Sequence, residues 1–145
     1  MKNLKKVTAV ILTYKTPKKI IFNCLKSIDK KINISIIENS KKFEHKNFVK
    51  KKFPKVKFYC TGENLGYGKG NNFGLIKTKT DFALILNPDV ICEKNFFENL
   101  SQVLKKKTKL APNPVKNHVK TVAIKAAKTG FIELKYCSIT SIKGI

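Results

Sequence analysis

Val7-Thr8-Ala9-Val10-Ile11-Leu12-Thr13-Tyr14-Lys15-Thr16-Pro17 decides the fold class of this chain. Its first six residues are apolar or β-branched without polar alternation, the pattern of a strand buried on both faces. Thr16-Pro17 then reads as a helix start, with Thr at the N-cap and Pro at the first helical position. Ile20, Ile21, Cys24, Leu25 and Ile28 follow at helical spacing on one face.

The alternation continues along the chain. Residues 34–37 read as a second strand. Phe43, Phe48, Val49 and Phe53 mark a short surface helix that ends before Pro54. Residues 56–60 read as a third strand, and a glycine-rich loop over residues 62–70 leads into a short helix through Ile76. Residues 82–86 form a fourth strand, stopped by Asn87-Pro88, and Phe96, Phe97, Leu100, Val103 and Leu104 form another helical stripe. Strands alternating with helices predict an α/β fold with a mostly parallel sheet flanked by helices. Ligands of such sheets sit beyond the carboxyl ends of the strands. Four loops occupy that edge: residues 13–16, 38–40, 61–70 and 87–89. They hold most of the hydroxyls, amides, glycines and carboxylates that lie outside surface runs.

Length and composition set the frame. With 145 residues and 42% hydrophobic content the chain reads as a single core-forming domain rather than a disordered segment. The formal charge of +22 raises nucleic acid as a partner. All 31 basic residues are Lys, however, and Lys lacks the bidentate fork with which Arg grips phosphate and guanine. Lys, Ile, Asn and Phe share A/T-rich codons, so compositional drift onto a solvated surface accounts for the charge. A surface of that sign can also dock on anionic lipid. Cys24, Cys60, Cys92 and Cys137 lie outside metal-ligand spacing and far from His45 and His118. They read as small core residues of a reducing compartment rather than a zinc site or a disulfide framework. The apolar run after the basic N-terminus is too short for a secretory signal, and no run approaches a membrane span. The expected location is the cytoplasm.

Each loop suggests chemistry. The segment Asn64-Leu65-Gly66-Tyr67-Gly68-Lys69-Gly70-Asn71-Asn72-Phe73-Gly74 would let backbone amides approach a phosphate or sugar closely. It is not a P-loop, because Glu63 stands five residues before Gly68 and Gly70 follows Lys69; the spacing of the dinucleotide fingerprint fails as well. Asp89, just past a buried strand, is placed to hold Mg²⁺ or Mn²⁺, which needs few protein ligands when a diphosphate supplies the rest. Asn87 is placed to orient either the sugar or a metal-bound water. Glu38 can accept hydrogen bonds from a pyrimidine or a ribose hydroxyl, and Thr13 and Tyr14 can line the base. The blander alternatives are a turn residue for Asp89, a solvated strand-end acid for Glu38 and ordinary packing for Thr13 and Tyr14.

Taken together, Val10 through Lys15, Ile36-Ile37-Glu38-Asn39-Ser40, Asn64 through Gly74 and Leu86-Asn87-Pro88-Asp89-Val90 resemble the family-2 glycosyltransferases, especially their rhamnosyltransferase-like branch. The resemblance runs over residues 7–104. It implies a GT-A (Rossmann-like) fold, a UDP- or dTDP-linked sugar donor, a divalent cation, and a glycan or lipid-linked acceptor in cell-surface polysaccharide or lipid-linked glycan synthesis. It implies that Thr13 and Tyr14 flank the nucleotide and that Glu38 replaces the usual base- or ribose-contacting Asp. Asn64, Gly66 and Asn71 shape the donor pocket, and Asp89 is the metal-binding acid. Lys15 stands where the family usually has Asn.

Residues 1–107 are thus expected to form the nucleotide-sugar-binding domain. Residues 108–145 match nothing in the family's later acceptor region. They are expected to reflect truncation, or a frameshift in the codons of Lys105, Lys106 and Lys107, and to leave the chain with little transfer activity. Within that segment Ala111-Pro112-Asn113-Pro114 resembles a linker, and residues 131–139 read as a strand on which Glu133 shares a face with Lys135. Glu133 is the one carboxyl side chain beyond Glu98, and so a weak candidate for the catalytic base. Two rivals are weighed against this reading. A sugar nucleotidyltransferase needs a basic glycine-rich loop after its first strand, and residues 13–17 contain no glycine. A Lys-rich nucleic-acid-binding module needs its basic residues and aromatics on one face, and here the lysines are spread along the chain.

Overall fold

A computed structural model describes residues 2–93, 95–110, 120–126 and 132–138. After a short 3₁₀ helix, Lys2–Lys6, the elements are β1 (Val7–Thr13), α1 (Lys18–Ser27), β2 (Asn33–Glu38), α2 (Lys46–Lys52), β3 (Lys57–Cys60), α3 (Gly66–Lys77), β4 (Phe82–Leu86), α4 (Phe96–Leu110), β5 (Lys120–Ala126) and β6 (Ile132–Ser138). The six strands form one sheet in the order β3-β2-β1-β4-β5-β6. Every pairing is parallel except that of β5 with β6. The chain winds outward from β1 through β2 to β3, then returns to place β4 on the other side of β1. The sheet therefore has a switch point between β1 and β4, and a crevice opens beyond such a point.

The apolar runs are buried because both faces of the sheet are covered. Alternate residues of β1 show it: Val7, Ala9 and Ile11 join a large cluster with Ile36, Leu84 and Leu86, into which α1 and α4 insert Ile21, Leu25, Phe97 and Leu100. Val10 faces the other way, with Ile37, Ala83 and Leu75 of α3. On that second face α3 lies directly against the strands. A Cβ at Gly74 would fall 2.5 Å from Val10 Cγ1 and 2.8 Å from Ile37 Cγ1, and one at Gly70 would fall 2.7 Å from Leu12 Cδ1. Two glycines one turn apart therefore let a helix backbone approach a sheet whose own side chains are large.

Two local expectations are corrected. The glycine-rich segment is not a loop up to Gly70, because α3 starts at Gly66. Its glycines tolerate the helix because sheet contact compensates their low propensity. Thr16 does not cap α1: Pro17 occupies the N-cap position, and its carbonyl accepts from the Ile20 and Ile21 amides at 3.0 and 3.3 Å. Of the α1 stripe, Ile21, Cys24, Leu25 and Ile28 are buried, whereas Ile20 is exposed. The expected strand over residues 131–139 is present as β6, whereas β5 was not foreseen, since Lys and Ala interrupt its short apolar run. The linker-like residues 111–114 lie outside the described residues.

Gly74→Ala should destabilise the fold by about 1–3 kcal/mol through overpacking. Gly68→Ala meets nothing within 4 Å in the same helix. It should stabilise by about 0.5–1 kcal/mol. Urea denaturation of the pair checks this, and equal effects would show that sheet contact does not select the glycines.

Candidate functional site

Alternation along β2 puts its last residues on opposite faces of the sheet. Glu38, the last residue of β2, lies in register with Thr13 on β1 and Cys60 on β3. It is only 2% exposed. Its carboxylate is held by the end of β1 and by the neighbouring loops. Thr13 Oγ1 donates to Oε2 at 2.7 Å, and Ser40 Oγ and the Lys15 amide donate to Oε1 at 2.7 and 3.2 Å. To aim its amide this way Lys15 adopts φ 49°, a left-handed conformation that non-glycine residues rarely hold and Asn tolerates best. Thr13 is 1% exposed and serves the same carboxylate, so its side chain supports Glu38 from within.

Asn39 points to the α3 side and forms a second junction. Its Nδ2 donates to Asn64 Oδ1 at 2.9 Å and to the Gly66 carbonyl at 3.3 Å. Its Oδ1 accepts from the Leu65 amide at 3.0 Å and from Thr61 Oγ1 at 3.2 Å. Its own amide donates to the Thr13 carbonyl at 2.7 Å. Asn64 Oδ1 also accepts from the Gly66 amide at 2.9 Å, which fixes the start of α3, where Gly66 takes φ 74°. Asn39 thus ties the ends of β1 and β2 to the loop between β3 and α3.

A cleft of about 410 Å³ opens in front of Glu38. Tyr14, Lys15 and Thr16 line one side, residues 40–45 another, and Gly62, Glu63 and Asn64 the third. Tyr14 is half exposed there, and the Lys15 ammonium lies 5.6 Å from the centre of its ring. The remaining residues expected at the site gather at the ends of β4 and α3. Asn87 opens a turn closed by the Val90 amide donating to its carbonyl at 3.2 Å. Its Oδ1 accepts from the Tyr67 hydroxyl at 3.0 Å. Asp89 is exposed at the tip of this turn. Asn71 is 4% exposed; its Nδ2 donates to the Tyr67 carbonyl at 3.0 Å, and its Oδ1 has no hydrogen-bond partner among the described residues. Glu133 is placed by register alone, opposite Lys125 on the β5–β6 ribbon.

The Asn87 turn is anchored from below by one thiol and one hydroxyl. Cys24 Sγ donates weakly to the Asn87 carbonyl at 3.8 Å, and the Cys92 amide donates to Ser27 Oγ at 3.0 Å. Burial, then the proximity of Cys92 and Asp89, pushes the Cys24 thiol up to about 12. Burial also raises Cys92, partly offset by its hydrogen bond with Ser27. Both behave as the core residues that their spacing suggested.

The chemistry-bearing residues named from sequence thus fall into two places. Tyr14, Glu38 and Asn64 border the cleft; Asn71, Asn87 and Asp89 belong to the neighbouring edge. Sequence reasoning gave no role to Asn39, the Lys15 amide or Tyr67, whose partners are more than twenty residues away or at the limit of that distance. Among the described residues no three His, Cys, Asp or Glu gather as a metal cluster, and none of the helices is long and apolar enough to cross a membrane.

Two predictions follow from these contacts. Asn39→Ala removes four side-chain hydrogen bonds and should destabilise by at least ~2 kcal/mol, read from the chemical denaturation midpoint. At pH 8 an alkylating reagent should label exposed Cys60 well before Cys24 and Cys92, because the thiolate is the reactive form. Peptide mass mapping checks the order, and early labelling of Cys24 would contradict its burial.

Comparison with known proteins bears on the whole architecture. Crystal structures of S. aureus TarS share the fold. One aligns at TM-score 0.60 and 19% identity, over 70% of this chain and 20% of that chain. The structure of TarS 1–349 aligns at TM-score 0.59 and 18% identity, over 69% of this chain and 32% of that one. The chain therefore spans a fifth to a third of the length of these structures. A search of curated proteins found no match. The fold is that of the GT-A glycosyltransferases. The family model described as glycosyl transferase family 2 matches residues 8–140, past the last of the sequence motifs and through both β5 and β6, and the chain belongs to that family.

Proposed function

We propose that this chain carries the donor site of an inverting glycosyltransferase, which passes a sugar from a UDP- or dTDP-linked donor to a hydroxyl of a glycan or lipid-linked acceptor. The observation that supports this most is that the cleft before Glu38 and the Asn87–Asp89 turn lie at the same carboxyl edge of the sheet, at the ends of β2 and β4 on either side of β1. A nucleoside fits the cleft, where Tyr14 offers a ring and the backbone around Glu38 offers fixed polar groups. The buried Glu38 carboxylate and Thr13 act by holding the Lys15 loop in shape. The diphosphate and sugar extend towards Asn64, Gly66, Asn71 and Asn87.

Asp89 is the residue that would hold a divalent cation. A single exposed carboxylate at a strand end fits a cation whose other ligands are diphosphate and water; it does not fit a closed protein cage. When bound, such a cation offsets the charge that develops on the leaving diphosphate. The acceptor hydroxyl attacks the anomeric carbon from the face opposite the leaving group, and a carboxylate near that hydroxyl takes its proton. Glu133 is the candidate from this chain, and its position opposite Lys125 makes it a weak one. On this reading residues 1–107 bind the donor, β5 and β6 beyond them extend the same sheet, and the 145 residues alone transfer sugar slowly. The setting is cell-surface polysaccharide or lipid-linked glycan synthesis at the cytoplasmic face of the membrane, where exposed Lys meets anionic lipid and no particular nucleic-acid sequence is read.

Titration calorimetry with UDP and dTDP, with and without Mn²⁺, tests the reading. Asp89→Ala should weaken binding about tenfold or more with Mn²⁺ and leave metal-free binding unchanged, as expected for loss of a charged ligand. Equal affinities of variant and parent under both conditions would remove Asp89 from the metal role.

A further inference from the structure

We infer that Tyr67 is a positioning residue for the donor: its hydroxyl fixes the Asn87 side-chain amide so that the NH₂ group, not the carbonyl oxygen, is offered to bound diphosphate or sugar. This rests on the donor site proposed above and makes Asn87 a hydrogen-bond donor to the bound ligand rather than a ligand of the cation. Tyr67 sits in the first turn of α3 and is 57% exposed, too open for a core tyrosine. It crosses from the α3 side to the end of β4, and its hydroxyl donates to Asn87 Oδ1 at 3.0 Å. That bond takes up one lone pair of the only side-chain atom through which Asn87 could ligate a cation, since an amide NH₂ has only donors. No hydrogen bond is made by Asn87 Nδ2 among the described residues, and the residue is half-buried just past the end of β4, at the β1–β4 switch point and two residues before Asp89.

The tyrosine is itself held. Asn71, one turn further along α3, donates from Nδ2 to the Tyr67 carbonyl at 3.0 Å, and Gly70 seats the same turn against Leu12. At the turn's other end the Asn87 carbonyl accepts from the Val90 amide and the Cys24 thiol. The backbone on both sides is thereby fixed, and the Tyr67 hydroxyl sets the remaining freedom, rotation of the Asn87 amide. Two protons then face an incoming donor at the point where its oxygens approach the Asp89 carboxylate. The division of labour is chemical: Asp89 attracts the cation, and Asn87 donates to an oxygen the cation leaves free.

The test uses Tyr67→Phe, Asn87→Ala and the double variant, with UDP and dTDP binding measured with and without Mn²⁺. Phe keeps the ring and removes only the hydroxyl at an exposed position. Tyr67→Phe should weaken binding about fivefold, the effect of one hydrogen bond, by the same factor with and without Mn²⁺. In the Asn87→Ala background it should have no further effect, because the residue it positions is gone. The opposite sign overturns the proposal: if Asn87 Oδ1 is a metal ligand, removing the hydroxyl frees it, and Mn²⁺-dependent binding tightens. A loss that persists in the Asn87→Ala background also overturns it, by showing that Tyr67 touches the ligand directly. A separate readout needs no ligand. The Asn87 side-chain amide signals in the NMR spectrum should shift in Tyr67→Phe, and unchanged signals would rule out the pairing. If the parent protein binds neither nucleotide, the donor-site reading fails, while the amide shift still decides whether Tyr67 holds Asn87.

Discussion

The site depends on two successive side chains at the end of β2 that face opposite sides of the sheet and are both satisfied by other segments. A strand's two-residue period sends Glu38 to the α1 side and Asn39 to the α3 side. The Glu38 carboxylate gathers Thr13, the Lys15 amide and Ser40; the Asn39 amide gathers Thr61, Asn64, Leu65 and Gly66. The loops of three strands are therefore positioned by one dipeptide. Buried polar groups of this kind are costly unless every member is paired. Asn39 meets that condition with two donated and two accepted bonds.

The fold was largely legible because its carriers are local. The runs that become β1, β2 and β4 are apolar and short, and the stripes of α1 and α4 repeat at helical spacing, so element type follows from the nearest few residues. The misreading at α3 has a definite cause. Gly66, Gly68, Gly70 and Gly74 argue against a helix by propensity, by about 1 kcal/mol each relative to Ala. What opposes that cost is a partner surface absent from the local sequence: Val10, Leu12 and Ile37, which Gly70 and Gly74 allow the helix to touch. The pattern that looked like a phosphate-binding loop is in its second half the contact face of a helix.

The site was legible in its outline and less so in its wiring. Which loops meet follows from the rule that parallel strands end at one edge, and the cleft, Asp89 and the Asn87 turn lie there as that rule requires. Which side chains face the ligand does not follow. Thr13 and Glu38, read as ligand contacts from residue type and family resemblance, are bonded to each other, and Glu38 also accepts from the Lys15 amide and Ser40. Tyr67 carried no signal because an aromatic residue between glycines is uninformative until its hydroxyl is seen against Asn87. The αL conformation of Lys15 was equally invisible, although the family's usual Asn at that position is the residue that such a backbone favours.

The lysine excess then acquires a limited physical role. Among the described residues Lys6 meets Asp81 at 3.3 Å with both side chains half in water, where such pairs contribute little. Lys18 and Lys77 instead lay their ammonium groups about 5 Å from the rings of Phe48 and Phe73, as chains that bury stems and solvate heads do. Lys57 lies on the outermost strand β3, where charge discourages edge-to-edge association. A field of this sign also raises the encounter rate with any polyanion, and salt screens it. It treats a nucleotide sugar, a lipid surface and a nucleic acid alike. Discrimination among them must come from contacts of hydrogen-bond length; on the donor-site proposal these are offered at the sheet edge that carries Tyr14, Tyr67, Asn87 and Asp89.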